Sequence, residues 1–172
     1  MGLFSSSMAL NSFDDLFLEQ LQDLYDAEQR LTKALPKMAE AARSSSLKAA
    51  FQEHFRQTEN HVARLEQVFK LIGKSAQSKT CQAMKGLVEE GDEVISASGD
   101  PDVKDAALIA AAQRVEHYEI AGYGTARTFA QRLGRQDAAR LLQETLDEEA
   151  ATDKKLTALA EQAINPRAAA TT

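Results

Sequence analysis

Apolar residues recur at alternating steps of four and three along four long stretches of this 172-residue chain. In the first stretch these positions hold seven apolar residues and one glutamate: Phe17, Leu21, Leu24, Glu28, Leu31, Leu35, Met38 and Ala42. Such spacing places the residues on one face of a helix and is typical of helices packed nearly antiparallel in a bundle. Only eight glycines and three prolines are present, so an all-β sandwich, which needs many turn signals, is excluded.

Capping residues and glycines divide the chain into five predicted helices. Ser12 is the predicted cap of the first helix and Ser46 of the second, while the pair Asp100-Pro101 marks the start of the fourth. The predicted helices cover residues 13–43, 47–72, 81–97, 101–133 and 136–164.

These helices predict an all-α fold, a four-helix bundle of two antiparallel hairpins with the short third helix as their connector. We expect a single domain over residues 13–164, a flexible N-terminal tail over 1–12 and a C-terminal tail over 165–172. A weak internal repeat supports two related hairpins, because adding 91 to Glu28 or Leu65 reaches Glu119 or Leu156. The few identities leave chance agreement between two bundle hairpins as the alternative.

Titratable residues interrupt the middle of each apolar face. The carboxylates Glu28, Glu116, Glu119 and Glu149 and the imidazoles His54 and His61 lie on predicted core positions, and Asp153 lies one turn beyond Glu149. A buried carboxylate must be paired, protonated, hydrogen-bonded or bound to metal. Two cations at the centre would offset this negative charge, as in di-iron bundles with a Glu from each of two helices and Glu-x-x-His from each of the others.

The match to that ligand pattern is incomplete. The two Glu-x-x-His positions read Thr58-x-x-His61 and Glu149-x-x-Thr152, so each keeps one ligand and replaces the other with threonine. Glu116, Asp153 or His54 could supply the missing ligands.

Each candidate ligand also has an ordinary structural role open to it. Glu28 could pair with Arg30, and one of Glu116 and Glu119 could face solvent. Asp153 could pair with a surface lysine, and His54 could pack in the core. His61 is as consistent with core packing as with metal binding.

Four stretches resemble the YciF-like bacterial stress proteins. They are DLYDAEQRL at 23–31, CQAMKGLVEEG at 81–91, QRVEHYEIAGYGTAR at 113–127 and LLQETLDEEAATDKKL at 141–156. The resemblance implies a ferritin-like fold, similar to rubrerythrin and ferritin, and a homodimer. Metal binding in that family is inferred mainly from its fold, so the resemblance bears more on architecture than on chemistry.

The first functional hypothesis is a cytoplasmic ferritin-like stress protein with a carboxylate-rich site for two iron or manganese ions. Its chemistry would be Fe²⁺ oxidation or peroxide reduction. The chain has one cysteine, Cys81, which excludes a rubredoxin-like centre of several thiolates. Electrons would therefore have to come from a partner or from Fe²⁺ as the substrate. The alternative hypothesis is a non-enzymatic helical stress protein with a metal-free acidic core.

Charge and hydropathy exclude other partners. The net charge of −6 and the pI near 5.1 oppose binding to nucleic acid phosphates. No run of 18 apolar residues is present, so we expect no membrane span. A single cysteine and the lack of a secretory signal favour a reducing cytoplasm.

Overall fold

Helices begin where side chains satisfy the free backbone N–H groups of a first turn. In this computed structural model, which describes residues 10–171, helix α1 (Phe13–Ala41) follows Ser12, whose hydroxyl accepts from the Asp15 N–H at 3.0 Å. Helix α4 (Pro101–Arg132) follows Asp100, whose carboxylate accepts from two N–H groups of its first turn. Both predicted caps are confirmed.

The remaining elements differ slightly from their predicted bounds. Helix α2 spans Ser45–Leu71, α3 spans Gln82–Ser96 and α5 spans Gln136–Leu159. The predicted cap of α2 is wrong, since Ser46 lies inside the first turn and the Ser44 hydroxyl accepts from the Leu47 N–H at 3.4 Å. The described residues are 85% helical and contain no strand, which confirms the all-α prediction.

The C-terminal segment continues the helical path. A π-helical turn covers Ala160–Ile164, and a short helix α6 covers Asn165–Ala169. The prediction that helix ends before Asn165 is therefore wrong. Pro166 lies in the first turn of α6 and has no N–H to donate to the preceding turn. The π-helical turn lies directly before α6, and the chain keeps its helical course. Residues 1–9 of the predicted N-terminal tail lie outside the described residues.

The four long helices pack in the cyclic order α1, α2, α5, α4, and α3 packs against α1 and α4. Ion pairs between helices show whether neighbouring helices run parallel or antiparallel. Lys155 contacts Glu53 near the start of α2, whereas Glu144 contacts Arg64 farther along it. Helices α2 and α5 are therefore antiparallel, and the three-residue connections after α1 and α4 reverse the chain in the same way.

Two apolar clusters fill the interior, one toward each end of the helices. The first includes Leu31, Phe51, Leu108 and Leu156, and the second includes Phe17, Leu65, Tyr123 and Leu142. On all four long helices the sequence passes from one cluster to the other through a short polar stretch. The polar residues thus form one buried layer between two apolar layers.

Among the described residues, no helix is both long and apolar enough to cross a lipid bilayer.

Candidate metal centre

The buried polar layer brings six predicted ligands together in two overlapping groups. One group comprises His54, Glu116, Glu119 and Glu149, and the other comprises Glu28, His61 and Glu149. Within each group one nitrogen or carboxylate oxygen per residue lies within 4.8 Å of all the others. Glu149 belongs to both groups, so its carboxylate joins them.

The two oxygens of Glu149 face different histidines. Oε1 lies 3.0 Å from Nδ1 of His61, and Oε2 lies 3.6 Å from Nε2 of His54. The same two nitrogens approach one further carboxylate each, with Glu28 at 3.4 Å from His61 and Glu116 at 3.2 Å from His54. Glu149 is thus the carboxylate that the two imidazoles share.

Most of these atoms lack an aligned hydrogen-bond partner. Both oxygens of Glu119 and of Glu149, one oxygen each of Glu28 and Glu116, and the inward nitrogens of both histidines are buried without one. A buried polar atom left unpartnered costs about 1–3 kcal/mol. Atoms that converge without bonding to one another are what ligands around shared cations look like, so the donor set fits divalent metal.

Burial and mutual repulsion dominate the electrostatics of the layer. Burial raises the pKa of Glu28 and Glu149, and raises that of Glu116 to about 8. Glu119 has its pKa raised well above its ordinary value by burial and by Glu28, Glu149 and Glu116. Burial alone would lower the pKa of His61, but Glu149 and Glu28 outweigh it and raise that pKa to about 11. Without metal, the layer therefore retains protons at neutral pH.

The outward nitrogens of the two histidines have different partners. Nε2 of His61 lies 2.7 Å from Oε2 of Glu148, which Arg64 also contacts. Nδ1 of His54 lies 3.3 Å from the Thr152 hydroxyl and 3.4 Å from the Gln57 amide oxygen. Outer contacts of this kind orient metal-binding histidines.

Tyr123 is a site residue that the sequence analysis did not single out. Its hydroxyl donates to Oε1 of Glu28, and its side chain is fully buried. The sequence contains a signal for this role, because Tyr123 lies four residues after Glu119 and therefore shares its helix face. Tyr25, one turn before Glu28, donates instead to Glu66 at 2.8 Å.

Asp153 is the one predicted ligand that the fold does not bring into either group. Its carboxylate accepts from the Gln113 amide at 3.0 Å and lies 3.4 Å from Nε2 of the exposed His117. Glu116 and His54, the other two candidates for the missing ligands, both belong to the first ligand group.

Cys81 belongs to neither ligand group. Burial raises the pKa of its thiol, which opposes a reactive thiolate.

The fold and the site together define a class: helical proteins with a buried centre of carboxylates and histidines. A family model described as a domain of unknown function (DUF892) matches residues 12–169, and the chain belongs to this family. Protein YciF of Escherichia coli (strain K12) is 47% identical over 162 residues, which cover 94% of this chain and 98% of that protein. The resemblance to YciF-like proteins is thereby confirmed.

Solved structures agree with this assignment. The crystal structure of the E. coli stress protein YciF matches with a TM-score of 0.87 at 47% identity, covering 90% of this chain and 98% of that one. A structure of YcfI from Rhodopseudomonas palustris matches with a TM-score of 0.84 at 44% identity, covering 90% of this chain and 97% of that one. The chain is therefore a homologue of a stress protein over nearly its full length.

Proposed function

We propose that this chain is a ferritin-like four-helix-bundle protein whose polar layer binds two iron or manganese ions and serves in stress protection. The observation that carries the proposal is the Glu149 carboxylate, fully buried, with one oxygen toward each histidine and both oxygens without an aligned partner. Four buried carboxylates around two histidines are most simply explained by cations at their centre.

The number and type of candidate metal ligands support this class of site. Di-iron bundles combine four carboxylates with two histidines, and the two groups here hold the same numbers of each. Only their distribution differs, because both histidines lie on α2, while α4 carries Glu116 and Glu119. The threonines at positions 58 and 152 therefore do not leave the set short of ligands.

Bound iron would supply one-electron chemistry, and reducing one hydrogen peroxide to two waters consumes two electrons and two protons. The chain's own residues supply the setting. Glu28, Glu116, Glu119 and Glu149 hold the cations and neutralise their charge, the two apolar clusters exclude bulk water, and Tyr123 holds Glu28 in place through its hydroxyl. Electrons come from Fe²⁺ as substrate or from an external donor.

Three further properties belong to the proposal. The resemblance to YciF-like proteins supports a homodimer, and light scattering at micromolar concentration measures its mass directly. The single cysteine, Cys81, supports a location in a reducing cytoplasm. The chain's net charge of −6 supports a role without nucleic acid.

The test is anaerobic Fe²⁺ oxidation by hydrogen peroxide, followed by ultraviolet absorbance in a stopped-flow instrument. We expect the wild-type protein to accelerate oxidation and Glu149→Gln to lose most of this acceleration, because it alters the residue shared by both groups. Asp153→Asn is the matched control on the same helix and should retain it. Equal rates with wild type, Glu149→Gln and no protein would instead favour the metal-free stress protein.

A further inference from the structure

His61 reaches toward the outside of the bundle as well as toward its centre. Its Nδ1 faces Glu28 and Glu149, while its Nε2 lies 2.7 Å from Oε2 of Glu148. The imidazole is fully buried, whereas the Glu148 side chain is 34% exposed. Glu148 is thus the group through which this candidate ligand meets the surface.

Glu148 is held by a second residue. Arg64 of α2 donates from Nη1 to Oε2 at 3.1 Å and from Nη2 to Oε1 at 3.2 Å, a two-point contact with the carboxylate. Nη1 also donates to the buried hydroxyl of Thr145 at 2.7 Å, which fixes the guanidinium. Such a two-point contact with arginine defines the position of a carboxylate and favours its charged form.

A charged carboxylate has only acceptor atoms. The short contact with Glu148 therefore requires Nε2 of His61 to carry a proton. In a neutral imidazole the other nitrogen, Nδ1, then has a free lone pair, and Nδ1 is the atom that faces Glu28 and Glu149. The outer contacts of His54 hold its tautomer less firmly, because they are longer, at 3.3 Å to the Thr152 hydroxyl and 3.4 Å to the Gln57 amide oxygen, and involve neutral groups.

We propose that Glu148, held by Arg64, is a positioning residue that fixes the Nε2–H tautomer of His61 and so presents Nδ1 to a metal ion. This inference rests on the proposed function, since it concerns how one ligand of that site is oriented. Glu148 touches neither metal nor substrate in this role. It acts through the hydrogen bond to the imidazole.

The first test measures Zn²⁺ affinity by competition with a chromophoric chelator. Loss of an outer contact to a ligating histidine weakens metal binding about 10–100-fold, and we expect Glu148→Ala to show a loss of that size. Glu144→Ala is the matched control, because Glu144 lies one turn earlier on α5 and contacts Arg64 at 3.5 Å without contacting His61. We expect its Zn²⁺ affinity to stay within about 2-fold of wild type.

The second test reads the tautomer directly. In Zn²⁺-loaded wild-type protein labelled with ¹⁵N-histidine, we expect a slowly exchanging Nε2–H resonance from His61 and a metal-shifted Nδ1. In Glu148→Ala the Nε2–H should exchange rapidly with water. This signature separates positioning from a merely structural ion pair, and its wild-type measurement does not depend on any variant folding.

The outcomes separate the two proposals. If wild-type protein binds none of Zn²⁺, Fe²⁺ and Mn²⁺, the proposed function and this inference both fail. If wild-type protein binds Zn²⁺ but Glu148→Ala and Glu144→Ala bind it equally well, only the positioning role is overturned. A His61 proton found on Nδ1 in the Zn²⁺-loaded protein would overturn it as well.

Discussion

Replacing Glu119 with glutamine should change stability in opposite directions with and without metal. Glu119 is fully buried, and neither of its oxygens has an aligned partner. Without metal, Glu119 is crowded by Glu28, Glu149 and Glu116 and its pKa is raised well above its ordinary value, so folding at neutral pH must take up a proton or bury a charge there. A neutral amide removes that cost, and relief of one such buried group is worth about 1 kcal/mol, or about 2–4 °C in melting temperature for a domain of this size.

With metal, the same substitution removes a charged ligand. A metal ion at 100 times its Kd stabilises the native state by about 2.7 kcal/mol. If affinity falls about 100-fold, the upper end for loss of a supporting contact, the same concentration contributes only about 0.4 kcal/mol. The difference exceeds the gain of the metal-free variant, so wild type should melt about 2–4 °C above Glu119→Gln.

The assay is thermal unfolding by circular dichroism in chelator and in Mn²⁺, with wild type and variant in parallel. Glu90→Gln, on the exposed surface of α3, is the control and should change stability by no more than about 0.5 kcal/mol in either buffer. The expected signature is a reversal of the order of melting temperatures. A variant that melts above wild type in both buffers would refute the reasoning.

Three other expectations follow from the same contacts. Between pH 5.5 and 7.5 the metal-free protein should lose stability as pH rises. The reason is that Glu116, with a pKa of about 8, and His61, with a pKa of about 11, hold protons that the unfolded chain releases. The rise in melting temperature on adding Mn²⁺ should instead grow with pH, and thermal melts with and without Mn²⁺ check both slopes. Asp105→Ala should cost about 2–4 kcal/mol in urea unfolding, because the buried carboxylate accepts from two backbone N–H groups before α2, at 2.9 Å and 2.8 Å, and an unchanged midpoint would argue against that role. Tyr123→Phe should cost about 1.5–3 kcal/mol without metal, because it removes the donor to Glu28, whereas a cost below 0.5 kcal/mol by the same assay would exclude a stabilising hydrogen bond.

The hydrophobic periodicity was enough to predict the helices and the burial of the candidate ligands. Glu28, Glu119 and Glu149 stand where an apolar residue is expected on each helix face, so their burial follows from spacing alone. The same rule placed His54 and His61 on the facing helix. The four-residue spacing from Glu119 also predicts that Tyr123 lies on the same helix face. Spacing alone does not show which carboxylate its hydroxyl contacts.

Contacts between helices and the choice of helix cap could not be predicted from spacing. Asp153 lies one turn after Glu149, yet Gln113 of α4 binds it outside the two ligand groups. Glu148 adjoins a core position, and only the packing of α2 against α5 shows that it reaches His61. Three consecutive serines, at positions 44 to 46, offer equivalent caps in the sequence, so the sequence could not distinguish Ser44, the observed cap of α2, from its two neighbours.

Metal content of the protein itself tests the central claim most directly. Protein purified without chelator and loaded anaerobically with Fe²⁺ or Mn²⁺ would be crystallised, and anomalous scattering recorded at the edge of the loaded metal. The account predicts two anomalous peaks per chain within the polar layer, one in each ligand group, with Glu149 between them. A polar layer without anomalous signal, with carboxylates bonded only to one another and to water, would contradict it.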